Sequence, residues 1–276
     1  MAKTRVDPLR SGWGPGRKKG AVSFTFDNLG EASDIEFGKW PADQPIGSHM
    51  SVTQVVPELL KRLSGFQATF FVEAWNATVY PSALRAMADA GHQVALHGLR
   101  HEIWAPLDLH RQIEVLERSL EAMATAGLRP IGFRPPGGYG SDNLAELMRR
   151  YGFSHFSCVG EGSSGIAMDG VVSMPFTWPF VDGNQLEAQI GVRWNIKPGP
   201  DGHYGPSLLR QVFTAEIDRA AQAGVHVIFD FHPWIIGQSQ ERMEALFSII
   251  AHALNRSDVW VASCREVAEW MLSEAG

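Results

Sequence analysis

Eight short runs rich in β-branched and aromatic residues punctuate the chain, at positions 21–27, 67–72, 93–97, 131–134, 155–159, 171–176, 225–232 and 259–263, and each reads as a strand. Between most of them lie segments with helical spacing of apolar positions: 52–63, 81–90, 109–126, 143–151, 207–223, 241–254 and 265–273. End signals agree with these bounds. Pro81 suits a first helical turn, and Gly91, Gly127 and Gly224 stand where a left-handed cap is needed. The β–α alternation predicts a parallel sheet with helical crossovers. Eight strands without an obvious linker favour one α/β domain over residues 1–276, with a core at about 20–271, as a closed or nearly closed barrel. A doubly wound open sheet is the alternative, weakened because no G-x-G-x-x-G follows the first strand.

In such barrels chemistry gathers at the C-terminal ends of the strands. Four polar residues fall there: Asp27, His97, Arg134 and His232. In A-V-S-F-T-F-D, Ser23, Thr25 and Asp27 share one face and Val22, Phe24 and Phe26 the other, so the small polar face can line the interior. Asp27 there is a general base, a metal ligand or a cap. The stretch V-A-L-H-G-L-R-H-E-I-W sets His97 and His101 four apart, a spacing that converges on one metal ion if the chain turns helical, or marks two unrelated surface histidines. In G-F-R-P-P-G-G-Y-G the prolines hold Arg134 extended, where it can pair bidentately with a carboxylate or merely be solvated. His232 follows Asp230 by two residues, so that carboxylate should raise its pKa and suit it to act as an acid; a satisfied core histidine is the bland alternative.

Two long stretches, 28–51 and 177–204, leave strand ends on this face and lack regular patterning. Loops of that length are functional or disordered, and Trp40, Trp178 and Trp194 favour ordered walls around a site. With Trp75, Trp104 and Trp234 they could stack on a sugar or a flat heterocycle, although most tryptophans are core.

Composition narrows the functional classes. A net charge of −6 with no concentrated basic patch argues against nucleic acid. The polar start at 1–10 lacks a signal-peptide core, and no apolar run is long enough for a bilayer. Cys158 and Cys264, the two cysteines, read as small buried hydrophobes in a reducing cytoplasm.

The motifs taken together, T-F-D-N, H-G-L-R-H, R-P-P-G-G-Y and a strand-terminal D-F-H, resemble those of the polysaccharide deacetylase family with its NodB-homology domain (carbohydrate esterase family 4), over roughly residues 20–271. M-P-F-T-W-P-F-V-D-G and F-H-P-W-I-I-G-Q-S-Q-E-R-M-E-A-L are more narrowly similar to the branch holding cofactor-free allantoinases and cytoplasmic peptidoglycan deacetylase-like proteins. The resemblance implies an irregular (β/α) barrel of seven to eight parallel strands, a dimeric or tetrameric assembly, and hydrolysis of a carbon–nitrogen bond in an N-acetyl sugar, cyclic imide or ureide. It implies Asp27 as base, Arg134 as its orienter and His232 as acid, with a divalent metal such as zinc on His97 and His101. Glu31, Pro136, Tyr139, Asp182 and Trp234 would meet substrate.

One position departs from the pattern. The family's metal-binding carboxylate is Asn28 here, and the branch's alternative position is Leu29. Asn28 could ligate through its amide oxygen, more weakly than an anion. Asp27 could ligate instead, or Glu31, Asp230 or Asp182 could substitute. Three functions stay open: a metal-assisted amidohydrolase, a metal-free hydrolase of the same class, and a silent binding pocket.

Overall fold

The structure, a computed structural model, describes residues 12–166, 170–199 and 202–275; the polar start at 1–10 lies outside them. All eight expected strands form: β1 (Gly20–Asp27), β2 (Thr69–Val72), β3 (Gln93–Leu96), β4 (Gly132–Phe133), β5 (His155–Phe156), β7 (Val172–Ser173), β8 (His226–Phe231) and β9 (Val259–Val261). A ninth, β6 (Gly165–Ile166), pairs antiparallel with β7 and has no apolar run to announce it.

The sheet order is β6-β7-β5-β4-β3-β2-β1-β8, with β9 beside the start of β1. All pairings except β6–β7 are parallel. The sheet curls into an incomplete barrel. The gap at β8 is crossed by a parallel bridge, Val181 to Asp230, and by hydrogen bonds of Ser163 and Ser164, beside β6, to His226. Several strands are shorter than the apolar runs; at 155–159 and 171–176 regular pairing covers two residues of each and resumes at a parallel bridge between Val159 and Phe176.

The alternation on β1 divides the core. Phe24 and Phe26 point outward, stacking on Phe229 (5.7 Å) and Phe70 (4.9 Å) beneath the helices. The inward side is narrower and carries Ala21, Phe71, Ala95, Met174, Phe176 and Ile228. Ser23, Thr25 and Asp27 form a polar column up this inner face. Ser23 bonds the His226 ring at 2.9 Å, and Thr25 donates to Asp230 at 3.0 Å.

The expected helices form with small shifts. The segment at 52–63 opens as one π turn (Ser51–Val55) before the α-helix Val56–Arg62. Asp108 caps Leu109–Thr125 by accepting the Arg111 N–H at 2.8 Å, and Gly224 ends Pro206–Ala223 at φ +71°. Neither long stretch is structureless. The first holds a short helix, Ala32–Glu36, and the second is built of turns: Trp178–Phe180, Asp182–Leu186, Ala188–Gly191 and Val192–Trp194. The second is pinned where Trp178 stacks on Trp194 at 4.2 Å. Turns of three to five residues are too short to show helical periodicity, so the pattern read as irregular. Among the described residues no helix is long and apolar enough to cross a membrane.

Candidate active site

Arg134 is the hub. It is 1% exposed, and its guanidinium lies between the rings of Phe71 (4.2 Å) and Phe176 (4.5 Å). One nitrogen, Nη1, donates to Asp27 Oδ1 at 3.0 Å, Asp230 Oδ1 at 2.7 Å and Thr25 Oγ1 at 3.0 Å. Nε and Nη2 reach Ser157 Oγ at 3.3 and 3.0 Å. The expected bidentate grip on a single carboxylate is therefore replaced by a bridge between two. The cause is register: Thr25 stands opposite Asp230 on β8, which brings the Asp27 and Asp230 carboxylates to the same guanidinium.

Asp27 keeps its second oxygen for other work. Oδ2 lies 3.8 Å from His97 Nε2. Burial pushes the Asp27 carboxyl up to about 8 against the pull of Arg134, with Asp230 adding to the rise.

His232 is partnered by a different carboxylate from the one its strand suggests. Asp230 is spent on Arg134. Asp182, from the second long stretch, takes His232 Nδ1 at 2.7 Å on Oδ1 and the His232 backbone N–H at 2.8 Å on Oδ2. Burial alone would lower the His232 pKa; the charge and hydrogen bond of Asp182, with Asp230 and Asp27 behind them, raise it to about 9. His232 therefore carries its proton at neutral pH.

The two loop histidines converge, though not on a helix. Gly98 turns the chain at φ +73°, and a Cβ there would come within 2.9 Å of Pro136 Cγ. Glu102 Oε2 then accepts the N–H groups of Leu99 and Arg100 at 3.0 Å each. His101 follows at φ +76°, unusual for a residue with a side chain. The His97 and His101 rings meet edge-on, 4.9 Å apart. His97 Nδ1 faces the Arg134 carbonyl oxygen at 2.8 Å, which leaves Nε2 as the acceptor, while His101 Nδ1 has no hydrogen-bond partner among the described residues. Burial lowers both pKa values, His101 to about 4, so both rings are neutral and able to ligate.

A carboxylate joins them that the motifs did not indicate. Glu73 directly follows T-F-F-V at the end of β2 and is fully buried. One of its oxygens and one ring nitrogen from each of His97 and His101 lie within 4.8 Å of one another. Asp27 falls outside that grouping. Burial pushes the Glu73 carboxyl up to about 8. The substitutes sought in Glu31, Asp230 and Asp182 are all engaged elsewhere. Glu73 could have been found by the signal that marked the others, a charged residue ending an apolar strand on the C-terminal face. Asn28 sits at φ +55° with Oδ1 unpartnered among the described residues, and Leu29 is 1% exposed in the core.

Of the expected substrate contacts, Tyr139 (48% exposed) and Trp234 (38% exposed) lie open, Trp234 with its ring 6.3 Å from His232. Three do not fit that part. Glu31 is buried and fastens the first long loop, accepting from Gly47 N at 2.6 Å and the Tyr80 hydroxyl at 2.5 Å. Pro136 is buried and packs on the Gly98 turn. Asp182 has both oxygens on His232. Trp104 is core, edge-on to Phe133 at 4.9 Å.

Comparison with known proteins agrees with this geometry. The family model described as polysaccharide deacetylase matches residues 15–156, just over half of the 276. A peptidoglycan deacetylase-like protein of Gibberella zeae is 32% identical over 88 residues, which are 32% of this chain and 26% of that relative. The match thus spans about a quarter of that relative's length. A candidate polysaccharide deacetylase from Mycobacterium smegmatis is similar over 99% of this chain and 96% of its own, with a TM-score of 0.82 and 26% identity. An allantoinase structure is similar over 96% and 92%, with a TM-score of 0.75 and 19% identity, a likeness of fold alone. The incomplete barrel, the motif order and the matched half of the sequence lead to one assignment: the chain belongs to the polysaccharide deacetylase family.

Proposed function

We propose that this chain hydrolyses a non-peptide carbon–nitrogen bond in a small amide, a cyclic imide, a ureide or an N-acetyl sugar, with Asp27 as base and His232 as acid. The observation that carries the reading is the unequal treatment of these two groups. Asp27 is held through one oxygen by Arg134 and keeps the other free, while His232 is held protonated by Asp182. In its ionised form, which gains population as pH rises towards the raised pKa of about 8, Asp27 Oδ2 takes the proton of a water molecule as a stronger base than an ordinary carboxylate. The water oxygen adds to the substrate carbonyl carbon. His232, through the ring nitrogen that Asp182 leaves unused, gives its proton to the departing nitrogen as the carbon–nitrogen bond breaks. A divalent cation such as zinc, held by His97 and His101, would supply Lewis-acid stabilisation of the oxyanion. Arg134 fixes Asp27 and, through its carbonyl oxygen, the His97 ring. Tyr139 and Trp234 offer flat surfaces to the substrate at the rim.

A second reading, binding without turnover, draws on Asn28, whose neutral amide stands where the family places a carboxylate. A hydrolysis assay over cyclic imides, ureides and N-acetyl amino sugars, with Asp27→Asn as control, separates the two. Hydrolysis of one class, lost in the variant, is expected. Saturable binding of a compound with no hydrolysis of any class would leave the silent pocket.

The same proposal takes residues 20–271 as one catalytic domain acting as a homo-oligomer, dimer or tetramer, in a reducing cytoplasm, with no nucleic-acid or membrane partner. The free Cys158, half-buried, and Cys264, buried, suit that compartment, and the net charge of −6 suits a small-molecule substrate. Light scattering of the purified chain tests the assembly.

A further inference from the structure

We propose that Glu73 is the anionic ligand of the cation site, its carboxylate reaching the two histidines from the end of β2 instead of from the loop after β1. The inference rests on the cation of the proposed function and names the ligand that reading lacks.

The two positions where the family's carboxylate is expected cannot supply it. Asn28 is neutral, and Leu29 is packed into the core at 1% exposure. The backbone at those positions instead leans on Glu73. Leu29 N donates to Glu73 Oε2 at 3.2 Å, and Asn76 Nδ2 donates both to the Leu29 carbonyl at 2.8 Å and to Glu73 Oε2 at 3.3 Å. One carboxylate oxygen is thus anchored by neutral donors. The other, Oε1, is fully buried with no hydrogen-bond partner among the described residues, as is His101 Nδ1. An unpartnered buried carboxylate oxygen is costly unless a cation meets it.

The donor set fits a divalent ion. One carboxylate and two neutral imidazoles is the ligand composition of many catalytic zinc sites, with a fourth position left for water or substrate. Tetrahedral ligands about 2.1 Å from zinc stand about 3.4 Å apart. The three atoms, within 4.8 Å of one another, would close by roughly 1.4 Å at most. Two of the three are already oriented from behind, His97 by the Arg134 carbonyl and Glu73 by Leu29 and Asn76, as metal ligands generally are. The move from β1 to β2 keeps the charge of the site and leaves Asp27 as the carboxylate that the end of β1 contributes.

Metal binding, read without turnover, tests the assignment. The full chain is stripped of metal and titrated with Zn²⁺ by competition with a chromophoric chelator, and with Co²⁺ by visible absorption. Wild type should take up one ion. Glu73→Gln, nearly isosteric, should bind Zn²⁺ about 100-fold more weakly or worse, beyond the loss of an outer partner alone, while Asp27→Asn, whose carboxylate lies outside the three-ligand group, should lose much less. Glu73→Asp, which keeps the charge on a shorter arm, should shift the Co²⁺ bands, and it serves if Glu73→Gln fails to fold. A folded Glu73→Gln with wild-type affinity, or unshifted bands in Glu73→Asp, overturns the assignment. So does a wild-type chain that binds no ion, and turnover by such a chain would leave the proposed hydrolase standing. Conversely, one ion bound through Glu73 with no turnover of any amide sinks the hydrolase reading alone.

Discussion

Asp182 grips His232 twice, at the ring through Oδ1 (2.7 Å) and at the backbone through Oδ2 (2.8 Å). A single carboxylate so fixes both where the imidazole points and whether it is charged. Asp182→Asn keeps the shape and removes the charge. The His232 pKa should fall from about 9 to near or below its ordinary 6.5. The alkaline limb of kcat/KM, set by loss of the His232 proton, should move down by about two pH units. NMR titration of the histidine rings in both proteins checks this, and an unmoved His232 resonance would remove Asp182 from the role.

Asp27→Asn should lower kcat by about 10²–10⁴ with a small change in KM, because it removes the base and leaves the rim intact. Stability should hold or rise. The folded-state pKa of Asp27 is raised above its unfolded value, so between about pH 4 and 8 the unfolded chain ionises this carboxyl while the folded one keeps its proton; stability falls as pH climbs, and the amide escapes that loss. Thermal unfolding at pH 7 beside steady-state kinetics shows both. A variant with full turnover would exclude Asp27 as base.

Arg134→Met should cost about 3–5 kcal/mol, since it strands two buried carboxylates, Asp27 and Asp230, on the same inner face. Arg134→Met with Asp230→Asn should recover part of the loss. Urea denaturation of the single and double variants measures the coupling; purely additive effects would contradict a shared guanidinium.

His155 and His226 are buried, and burial lowers both pKa values to about 3. Each binds a proton in the unfolded chain below about pH 6.5 but not in the folded one, so each withdraws stability as pH falls from 6.5 towards 3. Because Asp27 and Glu73 act in the opposite direction, the effect is read as a difference. As pH falls from 6.5 to 5, His155→Gln should gain stability relative to wild type by about 1.4 kcal/mol per pH unit. Parallel curves for variant and wild type would show that His155 is already protonated when folded.

Much of the fold was legible in the chain because strand and helix periods are local. The alternation of Ser23, Thr25 and Asp27 against Val22, Phe24 and Phe26 needs only β1 itself, and it assigned the inner and outer faces correctly. Strand-end positions likewise marked Asp27, His97, Arg134 and His232 as one face. Glu31 and Asp182 were legible as residues near the site but not as what they do. A buried carboxylate that fastens a loop to Tyr80 and one that charges a histidine look alike in sequence.

The sequence by itself determined the order of strands and helices, the family motifs and the absence of a carboxylate at positions 28 and 29. Only the tertiary structure decided which acid serves which partner. Asp230 is two residues from His232 yet belongs to Arg134, Asp182 is fifty residues away yet holds His232, and Glu73 faces His97 and His101 from another strand. The physical reason is that charge pairing over a few ångströms depends on the register between parallel strands and on the curl that folds β4 back towards β1 and β8. Neither is encoded in the spacing of residues along one segment.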